Sequence, residues 1–78
     1  MREKIIEIIE DVTNYKGLEN KLDVDLIENE ILDSLGFIEL VTELEETFDI
    51  EIQPTQIPSD TWRSIDNIVK LVEKKMRE

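Results

Sequence analysis

ENEILDSLGFIELVTELEETFDIEI, residues 28–52, holds one serine, Ser34, and neither lysine nor arginine. Leu35, Ile38, Val41, Leu44, Thr47 and Phe48 recur at threes and fours, with Glu39, Glu43, Glu45 and Glu46 elsewhere around the cylinder. That spacing predicts an amphipathic helix. Asp33 or Ser34 supplies its N-cap, since either side-chain oxygen can accept a hydrogen bond from a free first-turn N–H. At the other end FDIEI alternates and stops before Pro54, so the chain leaves the helix in extended form.

Working outward, Ile5, Ile8, Ile9 and Val12 stand at helical spacing among Glu7, Glu10 and Asp11, which predicts a helix over residues 2–13 ended by Asn14 and Gly17. A long connection follows from Tyr15 to Asp33. Its aliphatics (Leu18, Leu22, Val24, Leu26, Ile27, Ile31, Leu32) are expected to pack back on the domain, with a short helical turn over residues 25–30. Pro54 and Pro58 confine any helix between them to a short turn. Ser64 caps a last helix in which Ile65, Ile68, Val69, Val72 and Met76 line one face, while Lys70, Lys74, Lys75 and Arg77 sit toward the C-terminal end, where cations suit the dipole. The expected fold is a small all-α bundle of three to four helices, one domain over residues 1–78.

At 78 residues the core is thin, because a chain of this size buries only about 60% of its unfolded surface. There is no cysteine and no histidine, which discards disulfide scaffolds, Cys/His zinc sites, thiol nucleophiles and imidazole catalysis. No apolar run exceeds two residues, so neither a signal peptide nor membrane insertion is expected, and the expected location is the cytoplasm. Net charge is −11, and it is segregated: residues 22–62 carry twelve acidic side chains and no basic one. Such a field repels nucleic acid and anionic lipid, keeps a small protein soluble, and draws basic protein surfaces toward it.

The question is what Ser34 does inside that field. A nucleophilic serine needs a base, and with histidine absent only a lysine could serve; all the lysines lie in the two outer segments. A self-contained hydrolase is therefore disfavoured. As a helix cap, serine stabilises by about 0.5–2 kcal/mol and needs no further purpose. Pattern alone favours that reading. Four neighbours shift the balance toward an attachment point: Gly36 leaves room in the first turn, Leu35 and Phe37 put apolar groups on either side of it, and Asp33 adds charge before the hydroxyl. An anion attached there would be favoured by roughly 0.3–1 kcal/mol at the helix N-terminus.

LDSLGFIELVTELEETFDIEI, residues 32–52, resembles the prosthetic-group site and second helix of acyl and peptidyl carrier proteins, whose D-S-L signature presents a serine to a phosphopantetheinyl transferase. The resemblance covers nearly the whole chain and implies an acyl-carrier-like bundle that catalyses nothing itself. It implies 4′-phosphopantetheine on Ser34, with Asp33, Leu35 and Gly36 completing the cofactor site. The partner face implied comprises Phe37, Glu39, Thr42, Glu43, Glu45, Glu46 and Trp62. Partners implied are the transferase, an adenylating ligase or acyltransferase that loads the thiol, and an acceptor acyltransferase; Mg²⁺ and coenzyme A belong to the transferase's reaction. No resident metal is implied. The stretch FDIEIQPTQIPSDTWRSIDNIV, residues 48–69, is similar to the D-alanyl carriers of teichoic-acid D-alanylation in its F-D-I-E start, in Trp62 before the last helix and in N-I-V. Leu32 and Gly36 agree with that group, and Leu35 departs from it, since those carriers often have Phe after the serine. The alternative is an acyl carrier for fatty-acid, polyketide or other specialised biosynthesis. Trp62 also reads as a plain aromatic plug closing the bundle's end.

Two readings compete from outside the carrier class. DVDLIENEILD, residues 23–33, suggests a calcium loop, yet Glu28 stands where an EF-hand needs Gly, and Ser34 falls where it needs Glu. An acidic decoy of a basic protein would have no use for Ser34. A monomer is expected, on the ground that no broad apolar stripe remains once the helices pack.

Overall fold

Ile5, Ile6, Ile8 and Ile9 crowd one side of a helix and force it against a neighbour; that helix is α1, Arg2–Thr13. In the computed structural model, which describes residues 1–21 and 23–78, Asn14 ends α1 in the left-handed region (φ 59°), as expected of an Asn at this position. The second helix, α2, is Ser34–Phe48, and the third, α3, is Ile65–Met76. Short 3₁₀ turns occupy Leu18–Asn20, Pro54–Gln56 and Ser59–Arg63. Among the described residues there is no strand: past Asp49, itself left-handed at φ 54°, Ile50 to Gln53 run without regular structure.

The three helices share one core. Leu40 and Leu44 of α2 and Ile65, Ile68 and Val72 of α3 are fully buried with Ile5 and Ile9 of α1. The connections contribute as expected, through buried Leu18, Leu26 and Leu32; the expectation for Leu22 lies outside the described residues. Residues 26–30 do form the expected turn. Ser64 caps α3, its Oγ accepting from the Asn67 N–H at 3.3 Å. Met76, assigned to the buried face of α3, is instead half exposed at the helix end, and Leu71 takes a core position.

The buried face of α2 differs from the one the spacing predicts. Leu35 and Ile38 are 68% and 61% exposed, and the inward stripe runs through Gly36, Leu40, Val41 and Leu44 with Phe37 and Phe48 beside it. Gly36 is buried on the inward side. A Cβ placed there would crowd Asp33 Oδ1 at 3.1 Å and make ordinary contact with Leu32 Cδ1 (3.5 Å) and the Val12 carbonyl oxygen (3.7 Å), so glycine leaves the capping carboxylate its room where the start of α2 meets the end of α1. Glycine's missing side chain points inward, and the two aliphatics flanking that line turn outward. An apolar surface therefore remains after packing, which removes the ground on which a monomer was expected.

Two ion pairs stitch distant segments together. Arg2 pairs with Asp66, joining the starts of α1 and α3, and Arg63 Nη1 reaches Asp25 Oδ2 at 3.1 Å. Asp25 is held below its ordinary value of 3.8, chiefly by the Glu28 N–H donating to it and further by Arg63; Asp66 is lowered chiefly by its hydrogen bond from Arg2. A carboxylate depressed in the folded state contributes stability that is present above its unfolded pKa and lost as pH falls through the folded one. The difference in thermal midpoint between the native chain and an Asp25→Asn/Asp66→Asn double variant is therefore expected to be present at pH 7 and to shrink as pH drops below about 4. A difference that stays constant down to acid pH contradicts this assignment.

Candidate functional site

Asp33 has extended backbone (φ −93°, ψ −177°), which swings its carboxylate back across the first turn of α2, where Oδ1 accepts from the Gly36 N–H at 2.7 Å. The question of which residue caps this helix is thereby decided for Asp33. Ser34 is already helical and stands at the first position of α2, exposed; among the described residues no group bonds its hydroxyl. Its neighbour has taken the structural task and left the hydroxyl free. Asp33→Ala is accordingly expected to cost about 0.5–2 kcal/mol, a fall in thermal midpoint of roughly 4–8 °C for each kcal/mol, measured by circular dichroism. A midpoint unmoved by that change contradicts the cap.

An open groove of about 610 Å³ adjoins Ser34, lined by Ile27, Glu30, Leu32, Asp33, Phe37 and Ile38. α2 contributes Ser34, Phe37 and Ile38 to its lining, and the turn at residues 26–30 contributes Ile27 and Glu30. Ile27, Glu30, Leu32 and Ile38 were not among the expected site residues. Ile38 was misread as core because its spacing fits a helix stripe; the signal that corrects it is Gly36, which marks the inward side.

Farther along α2, Glu39, Glu43 and Glu46 are exposed at i, i+4 and i+7, so three carboxylates form one stripe with no cation on the helix to offset them. Like charges at that spacing destabilise a helix by about 0.2–0.5 kcal/mol a pair. Thr42 is exposed on the same helix, its hydroxyl donating to the Ile38 carbonyl at 3.1 Å. Glu45 stands apart: its Oε2 accepts from the Ile52 N–H at 2.8 Å, so this carboxylate, expected on the partner face, instead secures the chain after α2.

Trp62 requires a correction too. Expected among partner-binding residues, it is only 5% exposed and meets Phe37 edge-on, ring centroids 5.0 Å apart at 81°. It is the aromatic plug. Phe37 is half buried beneath the groove by the same contact. In the region compared above with a calcium loop, Asp25 already accepts from the Ile27 and Glu28 N–H groups at 3.0 and 2.8 Å, and among the described residues no three metal-ligating side chains are grouped to hold an ion.

A free serine hydroxyl at a helix N-terminus, capped from the preceding residue and bordered by an apolar groove, is a place to tether a group. Among known families, the phosphopantetheine attachment site family matches residues 3–72. The chain belongs to the phosphopantetheine-attachment family. Its relatives include the D-alanyl carrier protein of Lactococcus lactis subsp. lactis strain IL1403, 38% identical over 78 residues, all of this chain and 99% of that protein. The D-alanyl carrier protein of L. lactis subsp. cremoris strain MG1363 is 37% identical over the same span, again with 99% of it covered. That of Bacillus cereus strain B4264 is 32% identical over 73 residues, 94% of this chain and 92% of the relative.

As a member of the phosphopantetheine-attachment family the chain is a carrier domain, and its cofactor is covalent 4′-phosphopantetheine. The surface around Ser34 fits that group. The hydroxyl is accessible, the first-turn N–H groups and dipole favour a phosphodiester anion, and Gly36 adds no bulk. Among the described residues no helix is long and apolar enough to cross a membrane.

Proposed function

We propose that Ser34 is the attachment residue and that the chain is the D-alanyl carrier of teichoic-acid D-alanylation, a cytoplasmic protein that catalyses nothing itself. The reading is carried by one observation: Asp33 caps α2, and Ser34 beside it keeps its hydroxyl unbonded and exposed. The names of the bacterial relatives, which cover nearly the whole chain, support D-alanine as the cargo. When bound, the arm supplies a terminal thiol on which an acyl group rides as a thioester, which is why a cysteine-free chain suffices.

The residues of this chain present and orient. Leu35 and Ile38 offer exposed apolar contact next to the hydroxyl, and the Glu39, Glu43 and Glu46 stripe attracts a basic phosphopantetheinyl transferase. Serial partners, namely the transferase, an adenylating ligase and an acceptor acyltransferase, call for fast encounter and modest affinity, which exposed charge provides and salt weakens.

Charge reversal at Glu39 and Glu43 together is expected to raise the transferase KM by roughly 5- to 30-fold at low salt through slower encounter, while the thermal midpoint stays near the native value, because positions 39 and 43 remain like-charged and only the contact of position 43 with Glu46 turns attractive. An unchanged KM at low ionic strength contradicts acidic docking. Cargo is tested by loading the arm-bearing chain with D-alanine through an adenylating ligase, in parallel with malonyl and fatty-acyl donors. Selective D-alanyl loading supports the reading; selective malonyl or acyl loading assigns the chain to fatty-acid or other specialised synthesis instead.

A further inference from the structure

The groove beside Ser34 has two walls, and only one of them is a helix. The other is the turn at residues 26–30, which contributes Ile27 and Glu30. Glu30 is itself left-handed, at φ 57°. Main-chain bonds hold the turn's C-terminal part, the Ile27 carbonyl accepting from the Glu30 N–H and the Leu26 carbonyl from the Ile31 and Leu32 N–H groups, and its N-terminal part converges on Asp25. Its Oδ1 accepts from the Ile27 and Glu28 N–H groups, and its main-chain carbonyl accepts from both the Asn29 N–H (3.1 Å) and Asn29 Nδ2 (2.9 Å). Its Oδ2 accepts from Arg63 Nη1 across 38 positions of sequence. Next to it the Leu26 N–H donates to the Arg63 carbonyl at 2.8 Å, and the Leu26 side chain is fully buried. Arg63 in turn ends the 3₁₀ turn that carries Trp62, whose ring abuts Phe37 on the groove's other wall. Both walls are thus referred to one segment, Trp62–Arg63.

We propose that Asp25 and Arg63 are positioning residues for the attachment reaction: the latch they form sets where Ile27 and Glu30 stand relative to Ser34, and so shapes the surface the transferase and the arm meet. Neither residue lines the groove. The inference rests on Ser34 being the attachment residue. The latch acts through the turn, so it governs recognition of the serine and not the chemistry at its oxygen.

The chemistry of asparagine allows the latch to be separated from the turn. Asn at position 25 keeps an Oδ1 that can accept from Ile27 and Glu28 but presents an amide where Arg63 needs an acceptor; alanine removes both functions. Full-length apo chains carrying Asp25→Asn, Arg63→Gln, both together, and Asp25→Ala are assayed with a broad-specificity phosphopantetheinyl transferase and coenzyme A. Amide chemical shifts of Ile27 and Glu30 and thermal midpoints are recorded alongside.

Changes in a connected network that touch no ligand shift binding by roughly 2- to 30-fold. Asp25→Asn and Arg63→Gln are each expected to raise KM within that range with kcat nearly unchanged, and to move the Ile27 and Glu30 amides. The double variant is expected to be no worse than the poorer single one, and Asp25→Ala to be worse than Asp25→Asn. KM values equal to that of the native chain, whether or not those amides move, overturn the proposal, as does full additivity of the two single variants. A native chain that accepts no arm at Ser34 overturns the attachment reading and with it this one, an outcome distinct from a native chain modified normally and variants indifferent to the latch.

Discussion

Ser34→Ala is expected to abolish uptake of the phosphopantetheine arm while leaving the fold intact. Serine at a helix start ordinarily stabilises by capping, and its replacement then costs about 0.5–2 kcal/mol. Here the cap belongs to Asp33, whose Oδ1 holds the Gly36 N–H, and the Ser34 hydroxyl is exposed and unbonded among the described residues. Alanine is also the better helix former, by a few tenths of a kcal/mol. The thermal midpoint is therefore expected to stay within about 3 °C of the native value, at roughly 4–8 °C per kcal/mol for a domain of this size. Intact mass after incubation with coenzyme A and transferase gives the other half: an adduct on the native chain and none on the variant. The pairing with Asp33→Ala is informative because adjacent residues should behave oppositely, one change costing modification and the other mainly stability. An adduct that persists on the alanine variant removes Ser34 from the attachment role.

Trp62→Ala is expected to be the most damaging single change to the fold. Truncating a buried Trp costs about 3–5 kcal/mol through lost burial and an unfilled cavity, and the edge-on pair with Phe37 adds about 0.5–1.5 kcal/mol to what is lost. A chain of 78 residues has roughly 4–12 kcal/mol in all. The variant should thus be largely unfolded or melt at least about 12 °C lower, whereas Trp62→Phe keeps an aromatic edge for Phe37 and should lose much less. The native chain has one tryptophan, so its fluorescence reports this site alone: emission should be blue-shifted when folded and move red on urea unfolding. A midpoint within about 4 °C of native for the alanine variant contradicts the plug assignment.

Much of this was legible in the residues themselves. The helix over residues 2–13, the Asn14 stop, the Ser64 cap and the packing of the long connection all followed from local rules that tertiary structure had no reason to override. The candidate serine was legible too, because a lone hydroxyl at the start of a helix in a basic-free segment has few readings. What the residues hid depended on contacts distant in sequence. Periodicity placed Leu35 and Ile38 inside, since a stripe at 35, 38, 41 and 44 is as regular as one at 37, 40, 41 and 44; the packing of α2 on the other helices, with Gly36 and Leu40 buried and Leu35 and Ile38 exposed, distinguishes them. Glu45 looked like its neighbours, but the chain folds back so that the Ile52 N–H meets it. Trp62 could have plugged the core or faced a partner, and the position of Phe37 decided for the core. The Asp25–Arg63 latch spans 38 positions and carries no local signature.

The central claim is that one exposed hydroxyl, freed by its neighbour's cap, is the tether. It is tested most directly by locating the arm on the native chain. No lysine or arginine lies between Lys21 and Arg63, so trypsin leaves Ser34 in one long peptide with Thr42, Thr47, Thr55, Ser59 and Thr61, and fragmentation of that peptide assigns the modified residue. A single adduct, on Ser34, is expected. An adduct on any other hydroxyl, or none on a chain whose circular dichroism is that of the folded helical bundle, contradicts it.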